Sequence, residues 1–438
     1  MKTVALKFGQ ADSALMPGIV SPPPLPEEPR EAGHGPVKPP VAERSAEASP
    51  KTGAKILSEV LALSNAEGLS DIQIQSGRLI YCNGGGKTRP FSNWNILSSE
   101  NVREILGILY ENRRIFLGIE TKKDEVAVPL EHLFLQQRRL DFASELDGAD
   151  HASGGGRVRV QAFFSNQGIG ITIRVLRNKI ASLNEIGLPA EVAESLRQRV
   201  TKKQGCGLIV GPTGSGKTTT LAALLDWVRR THNKHIVTIE DPIEYVYPDN
   251  IEAGGTSNAA PALVTQQEVG AHVRSFEQGL IDALRKKPDI ILVGEIRTPE
   301  TLRIALEAAE TGHFILSTLH TRGAGKTLGR MRQMFSLEQA RGILQQFADV
   351  GSFILSQGLM PDISGKYLLC CELFAIQEIE DRNAIRKYAE GGFQDVEERL
   401  NKPYNRKWNS ELKALFNAKR ITPEVYEQFY QVTGLENK

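Results

Sequence analysis

Residues 211–218 read Gly-Pro-Thr-Gly-Ser-Gly-Lys-Thr, with the apolar Leu208-Ile209-Val210 before them and a helical Thr219–Val228 stretch after them. This is the G-x-x-x-x-G-K-[ST] phosphate-binding loop in its strand-loop-helix setting, and it restricts the fold to an α/β sheet covered by helices. Each position has a chemical task. Gly211, Gly214 and Gly216 let backbone N–H groups turn inward around phosphates, and Pro212, Thr213 and Ser215 complete the turn. Lys217 brings a cation to the β/γ oxygens, the Thr218 hydroxyl is suited to Mg²⁺, and Thr219 opens the helix. The sequence thus predicts an enzyme that binds ATP with Mg²⁺. A ligand-free Gly/Ser/Thr turn is the alternative, disfavoured by eight matched positions between strand and helix.

The 438 residues suffice for two or three domains with a sizeable core. With 53 Lys+Arg against 52 Asp+Glu, the totals carry no electrostatic footprint of a nucleic-acid binder, and no direct nucleic-acid partner is expected. Cys82, Cys206, Cys370 and Cys371 show no C-x-x-C spacing, which speaks against a zinc site or a disulfide framework and fits a reducing cytoplasm. No run approaches the ~18 apolar residues of a spanning helix, and the first residues lack the apolar core of a signal peptide. Membrane association is therefore expected only through a partner or a surface.

Ten of the 22 prolines fall in the first 50 residues, so 1–52 reads as a disordered Pro-rich tail, either a solvated linker or a docking segment. A small α+β domain follows over 53–182. It opens with helical spacing at Ile56, Val60, Leu61 and Leu63 and the alternating strand Asp71–Gln75, and continues with a helix at Ser99–Leu109. It ends in a hairpin of Arg157–Phe164 and Gly168–Arg174 joined near Asn166-Gln167. The hairpin's arginines alternate with apolar residues, a pattern that by composition alone reads as solvated outward charge. Residues 183–204 hold an interdomain linker, Leu183–Pro189, and a first helix.

From 205 to 375 short apolar strands alternate with helices, the pattern of a parallel sheet covered on both faces. The strands are Gly207–Val210, His235–Ile239, Asp289–Val293 and His313–Ser317, and the helices Thr218–Arg230, Phe276–Arg285, Pro299–Thr311 and Gly325–Met334. A helical C-terminal region completes 376–438. Chemistry in open α/β sheets collects at the carboxyl ends of strands. There stand Glu240, Asp241 and Glu244, of which Glu240 is a candidate to hold Mg²⁺ or orient water, with a helix N-cap as the alternative. Asp289–Glu295 has the apolar strand of a Walker B element, with Gly294 where Asp is more usual. This leaves Glu295 as the candidate to polarise the attacking water. His320 ends the next strand and is better placed than His313 to sense phosphate, although a packed or capping histidine has the same signature. Gly323–Thr327 imitates a second phosphate loop without its first glycine and reads as a helix start.

The phosphate loop, Thr238-Ile239-Glu240-Asp241-Pro242-Ile243-Glu244-Tyr245, Gly294-Glu295-Ile296-Arg297 and the Thr311–Thr321 histidine box occur in the order found in secretion ATPases. Over roughly Ser70 to Gly391 the chain resembles the type II/type IV secretion-pilus ATPase superfamily (GspE/PulE/PilT-like). Arg157–Phe163 is similar to the R-F-R-V-N-A-F segment of its pilus-retraction, PilT-like branch, and Ala384–Glu390 to that branch's A-I-R-N-L-I-R-E. The chain departs at Gln267 within Q-R-E-V-G, at Thr298, and in a polar insertion at Asn250–Ala262. It also lacks the tetracysteine module common in the assembly and export branch, which favours the retraction or DotB-like branches.

The resemblance implies a homohexamer of RecA-like ATPase domains with PAS-like N-terminal domains, using ATP and Mg²⁺. By position, Arg159 and Arg174 would reach the phosphates when the two domains close. It further implies a motor for type IV pilus retraction or type IV secretion and conjugation. Such a motor is cytoplasmic and peripheral at the inner membrane, docked on a platform or secretion complex. A pilus-assembly or type II export ATPase, a nucleic-acid motor and a non-hydrolysing nucleotide-gated scaffold are the alternatives.

Overall fold

The computed structural model describes residues 52–430, apart from residues 68, 70, 85–86, 92–95, 117–133, 135–137, 147–155, 177–178 and 254–255. All but the last residue of the expected Pro-rich tail, and residues 431–438, lie outside the described residues.

Alternation builds the first sheet. Its elements are α1 (Gly53–Glu67), β1 (Asp71–Gln75), β2 (Tyr81–Gly84), β3 (Lys87–Pro90), α2 (Ser99–Phe116), β4 (Arg139–Leu146), β5 (Gly156–Ser165) and β6 (Gly168–Val175). The strands pair antiparallel in the order β3-β2-β1-β6-β5-β4. Ile72 and Ile74, Val158, Val160 and Ala162, and Ile171 and Ile173 point to one face. There they pack against Ile56 and Val60 of α1 and Val102, Ile105 and Leu109 of α2. Each valine, isoleucine or leucine among them contributes roughly 1.5–3 kcal/mol when fully buried. The opposite face carries the intervening polar residues, because successive strand residues point to opposite sides. Register sets Arg159 directly across from Arg174, so those two side chains are neighbours on that face. Helix α2 runs seven residues past the expected Leu109, to Phe116.

Helix α3 (Ala190–Val200) leads into the second sheet. Along it come β7 (Gly205–Val210), α4 (Lys217–Thr231), β8 (His235–Glu240), β9 (Asn250–Ala253), β10 (Thr256–Ala259) and β11 (Leu263–Glu268), then α5 (Phe276–Leu284), β12 (Ile290–Val293), α6 (Pro299–Glu310) and β13 (Phe314–Leu319). The chain continues through α7 (Ala324–Gln333), α8 (Leu337–Val350), β14 (Gly351–Pro361) and β15 (Tyr367–Ala375). It ends in α9 (Ile379–Tyr388), α10 (Phe393–Arg399), α11 (Trp408–Asn417) and α12 (Pro423–Phe429). Seven strands lie in the order β11-β8-β12-β13-β7-β14-β15, parallel except for β15. The insertion at Asn250–Ala262 contains the separate hairpin β9–β10.

Strands β7, β12 and β13 are buried at every residue, as expected where helices cover both faces. Cys206, Leu208 and Val210 of β7 face one helical layer, which includes Leu280, Leu302, Leu344 and Ile385. Ile209 faces the other, with Leu196 of α3 and Leu221 and Leu224 of α4. Leu183 and Leu188, from the stretch expected to be a linker, pack into that second layer. Trp408, Leu412 and Ile421 form a small cluster with Met360 and Cys370. The four cysteines are buried and free. Among the described residues no helix is long and apolar enough to cross a membrane.

Candidate active site

The phosphate loop leaves β7 at Gly211, which has φ 154°. A Cβ there would sit 2.3 Å from Gln357 O and 2.5 Å from Ser215 Oγ, so only glycine permits this turn. The loop closes at Gly216, the N-cap of α4, and the helix thus presents its open N-terminal N–H groups at the loop. Lys217 is buried and its Nζ donates to Gly211 O and Pro212 O, both at 3.0 Å. Burial holds this ammonium below its usual range, while the nearby Glu295 and Glu244 pull it upward. Thr218 is half-buried, and the Thr219 hydroxyl lies 3.1 Å from the Tyr245 hydroxyl. Thr213 and Gly214 are exposed at the tip.

Glu295 follows β12. Its Oε1 pairs with Arg297 Nη2 at 2.5 Å and its Oε2 lies 3.5 Å from His320 Nε2. Burial first, then the Lys217 cation and, more weakly, Arg297, lower the His320 pKa, opposed by Glu295. Three parallel strands fix this corner: Gly294 N donates to Ile239 O, Ile296 N to Thr318 O, and Thr318 Oγ1 to Gly294 O. A Cβ at Gly294 would lie 3.3 Å from Ile239 O, tighter than ordinary contact. The close approach of β8 accounts for the glycine at a place where Asp is more usual. His313, at the opposite end of β13, packs its Nδ1 3.0 Å from Ala308 O.

Glu240 is buried, and its Oε1 accepts from Thr238 Oγ1 at 2.6 Å and from Gln266 Nε2 at 3.0 Å. Burial pushes its carboxyl up to about 7, assisted by Glu244 and opposed by the two hydrogen bonds and by Arg157. Gln266 also donates to Tyr245 O and accepts from Tyr247 N, so one amide fixes the whole carboxylate loop. Sequence reasoning noted Gln266 only as part of a motif.

The N-terminal sheet meets this loop through its arginine face. Arg157 is 5% exposed and its Nη2 donates to Ile243 O at 2.8 Å, which corrects the reading of all three arginines as solvated charge. Burial lowers its pKa, opposed by Glu145, Glu240, Glu268 and Glu244. Arg159 makes a two-pronged contact with Asp141 at 3.1 and 2.9 Å and lies 3.6 Å from Glu244. Arg174 pairs with Asp71 at 2.7 Å and is half exposed. The structure therefore gathers Lys217, Glu295 and His320 at the phosphate loop and sets Arg159 beside Glu244. Arg174 stands next to Arg159 but is engaged by Asp71.

A buried lysine on loop carbonyls, a glycine cradle that a Cβ would fill and an open helix N-terminus fit a nucleotide's phosphates. Among the described residues no cluster of three His, Cys, Asp or Glu side chains forms a metal cage. Mg²⁺ in nucleotide sites binds mainly through phosphates and water, with few protein oxygens. Thr218 and Glu240 are the residues that would hold it, and bound there it would neutralise phosphate charge.

The fold and this loop define a P-loop nucleoside triphosphatase. The Type II/IV secretion system protein family matches residues 153–397, and the chain belongs to that family; it is an ATPase. The type IV pilus retraction ATPase PilT of Pseudomonas aeruginosa is 34% identical over 331 residues, 76% of this chain and 85% of that one. Among solved structures, the pilus retraction motor PilT with bound ADP superposes with TM-score 0.69 at 30% identity, covering 87% of this chain and 99% of that one. The Legionella pneumophila ATPase DotB gives 0.69 at 25%, covering 87% and 97%.

Proposed function

We propose that this ATPase is a motor of a type IV pilus, in its retraction step, or of a type IV secretion machine. It works as a homohexamer with Mg²⁺ and ATP, docked at the cytoplasmic face of an inner-membrane complex. The observation that carries the reading is the convergence of Lys217, Glu295 and His320 on the phosphate loop, with a separate sheet presenting Arg159 at the adjoining Glu244. Lys217 would bind β/γ oxygens, Glu295 would orient and deprotonate the attacking water, and His320 would hold Glu295 while sensing the γ-phosphate. Arg159 and Arg174 would exchange carboxylates for phosphates as the sheet closes, which couples hydrolysis to motion. PilT and DotB match over most of this chain, whereas type II secretion system proteins E, at similar identity, match over less than half of it, which supports this pair of machines over an export ATPase.

The test is Glu295→Gln in the full chain. ATP affinity should persist while turnover falls by ~10²-fold or more. Parallel loss of affinity and turnover would make Glu295 structural. Lys217→Ala should abolish productive ATP binding with the melting temperature retained.

A further inference from the structure

Strand β14 touches three separate parts of the molecule through three consecutive residues in its middle. Ser356 Oγ accepts from Gly323 N at 2.8 Å, where α7 begins. Gln357 is 1% exposed and its Nε2 donates to Ser215 O in the phosphate loop at 2.7 Å. Gly358 lies under the Trp408 indole, where a Cβ would sit 2.8 Å from a ring carbon. These residues and Pro212–Ser215 line one pocket.

The Ser215 carbonyl belongs to the same peptide group as the Gly216 N–H. In a planar trans peptide these two point in opposite directions, so fixing one fixes the other. Gly216 is the N-cap of α4, where the free N–H groups gather that a phosphate would use. A free loop can rotate this peptide and turn its carbonyl oxygen toward the phosphate, replacing attraction with repulsion. Gln357 blocks that rotation. Its Oε1 has no partner among the described residues, a disfavoured state for a buried amide that an apolar side chain of the same length would avoid. The donor is therefore the part of the side chain that the site uses.

We propose that Gln357 is a positioning residue for nucleotide binding, which acts by holding the Ser215–Gly216 peptide with its N–H toward the β-phosphate. The inference rests on the phosphate loop holding nucleotide. Because ATP and ADP share the β-phosphate, losing the strut should weaken both alike.

The experiment titrates ADP and measures ATP turnover in the full chain, wild type against Gln357→Met and Gln357→Glu. ADP binding by the wild type checks the nucleotide reading by itself, and the variants check the inference. For Gln357→Met, Kd for ADP and KM for ATP should rise together by about tenfold, with kcat changing less than about threefold and the melting temperature near wild type. Unchanged affinities overturn the proposal. If Gln357→Met also melts early, Gln357→Glu decides. Its carboxyl donates to Ser215 O only when protonated, so its ADP affinity relative to wild type should recover as pH falls from about 8.5 to about 6. A ratio that stays constant across that range overturns the proposal as well.

Discussion

Gly294→Asp restores the carboxylate that usually ends such a strand, and the structure says that it is destabilising here. A Cβ at 294 would meet Ile239 O and Phe276 Cε1 at 3.3 Å and Glu240 Cα at 3.6 Å. Of the two tight neighbours, Ile239 O is backbone of the adjoining strand and cannot rotate away, while the contact to Glu240 Cα is an ordinary one. Overpacking of this kind costs ~1–3 kcal/mol. The new carboxylate also enters beside Glu240 and Glu295, and each pKa unit of mutual disturbance adds ~1.4 kcal/mol. Together these come to about 2–4 kcal/mol, a fall in melting temperature on the order of 5–15 °C for a domain of this size. Gly294→Ala carries the crowding without the charge and should lose about half as much. Thermal melts of both variants, with turnover measured alongside, make the comparison. A Gly294→Asp variant that melts with the wild type, or hydrolyses ATP faster, would refute the argument and mean that this site accepts the ordinary metal carboxylate.

Two other perturbations test separate parts of the site. Arg159→Ala and Arg174→Ala should each lower turnover sharply while moving the melting temperature by only a few degrees, because exposed ion pairs contribute ~0–1 kcal/mol; full turnover in both would make them ordinary surface charge. Glu240, raised to about 7 by burial, binds its proton more tightly folded than unfolded. Its contribution is therefore intact below about 4.5 and is lost as pH rises through about 7, on the order of 3 kcal/mol at full extent. Glu240→Gln should melt above wild type at pH 8 and converge with it near pH 5, and a pH-independent difference would contradict the burial argument.

Four of the seven core strands, β7, β8, β12 and β13, were legible because short apolar runs report strands buried on both faces, whereas β11, β14, β15 and helix α8 were not expected from the sequence pattern. Lys217 and Glu295 were legible because each sits at a fixed offset from such a run. Local pattern failed where the third dimension decides. Arg157, Arg159 and Arg174 share one alternation, yet only Arg157 is buried, and it alone donates to the Ile243 carbonyl in the loop after β8. Gln357 lies 142 positions from Ser215, and no local signal links them. The glycine at 294 stood out as a departure, but its cause is the approach of Ile239, a contact between strands distant in sequence. Gln266 was visible as a motif letter, whereas its three hydrogen bonds depend on β11 lying beside β8.

The place of β7 in its sheet also has a mechanical meaning. Hydrogen-bonded ladders run along both of its sides, to β13 from Gly205 to Val210 and to β14 from Cys206 to Val210. Tension applied at the phosphate loop along the strand loads both ladders in shear, so their bonds must yield together and cannot peel open one by one. The rate of forced unfolding depends on the barrier to rupture and not on equilibrium stability. The phosphate loop is thus anchored on an interior strand that is held on both sides.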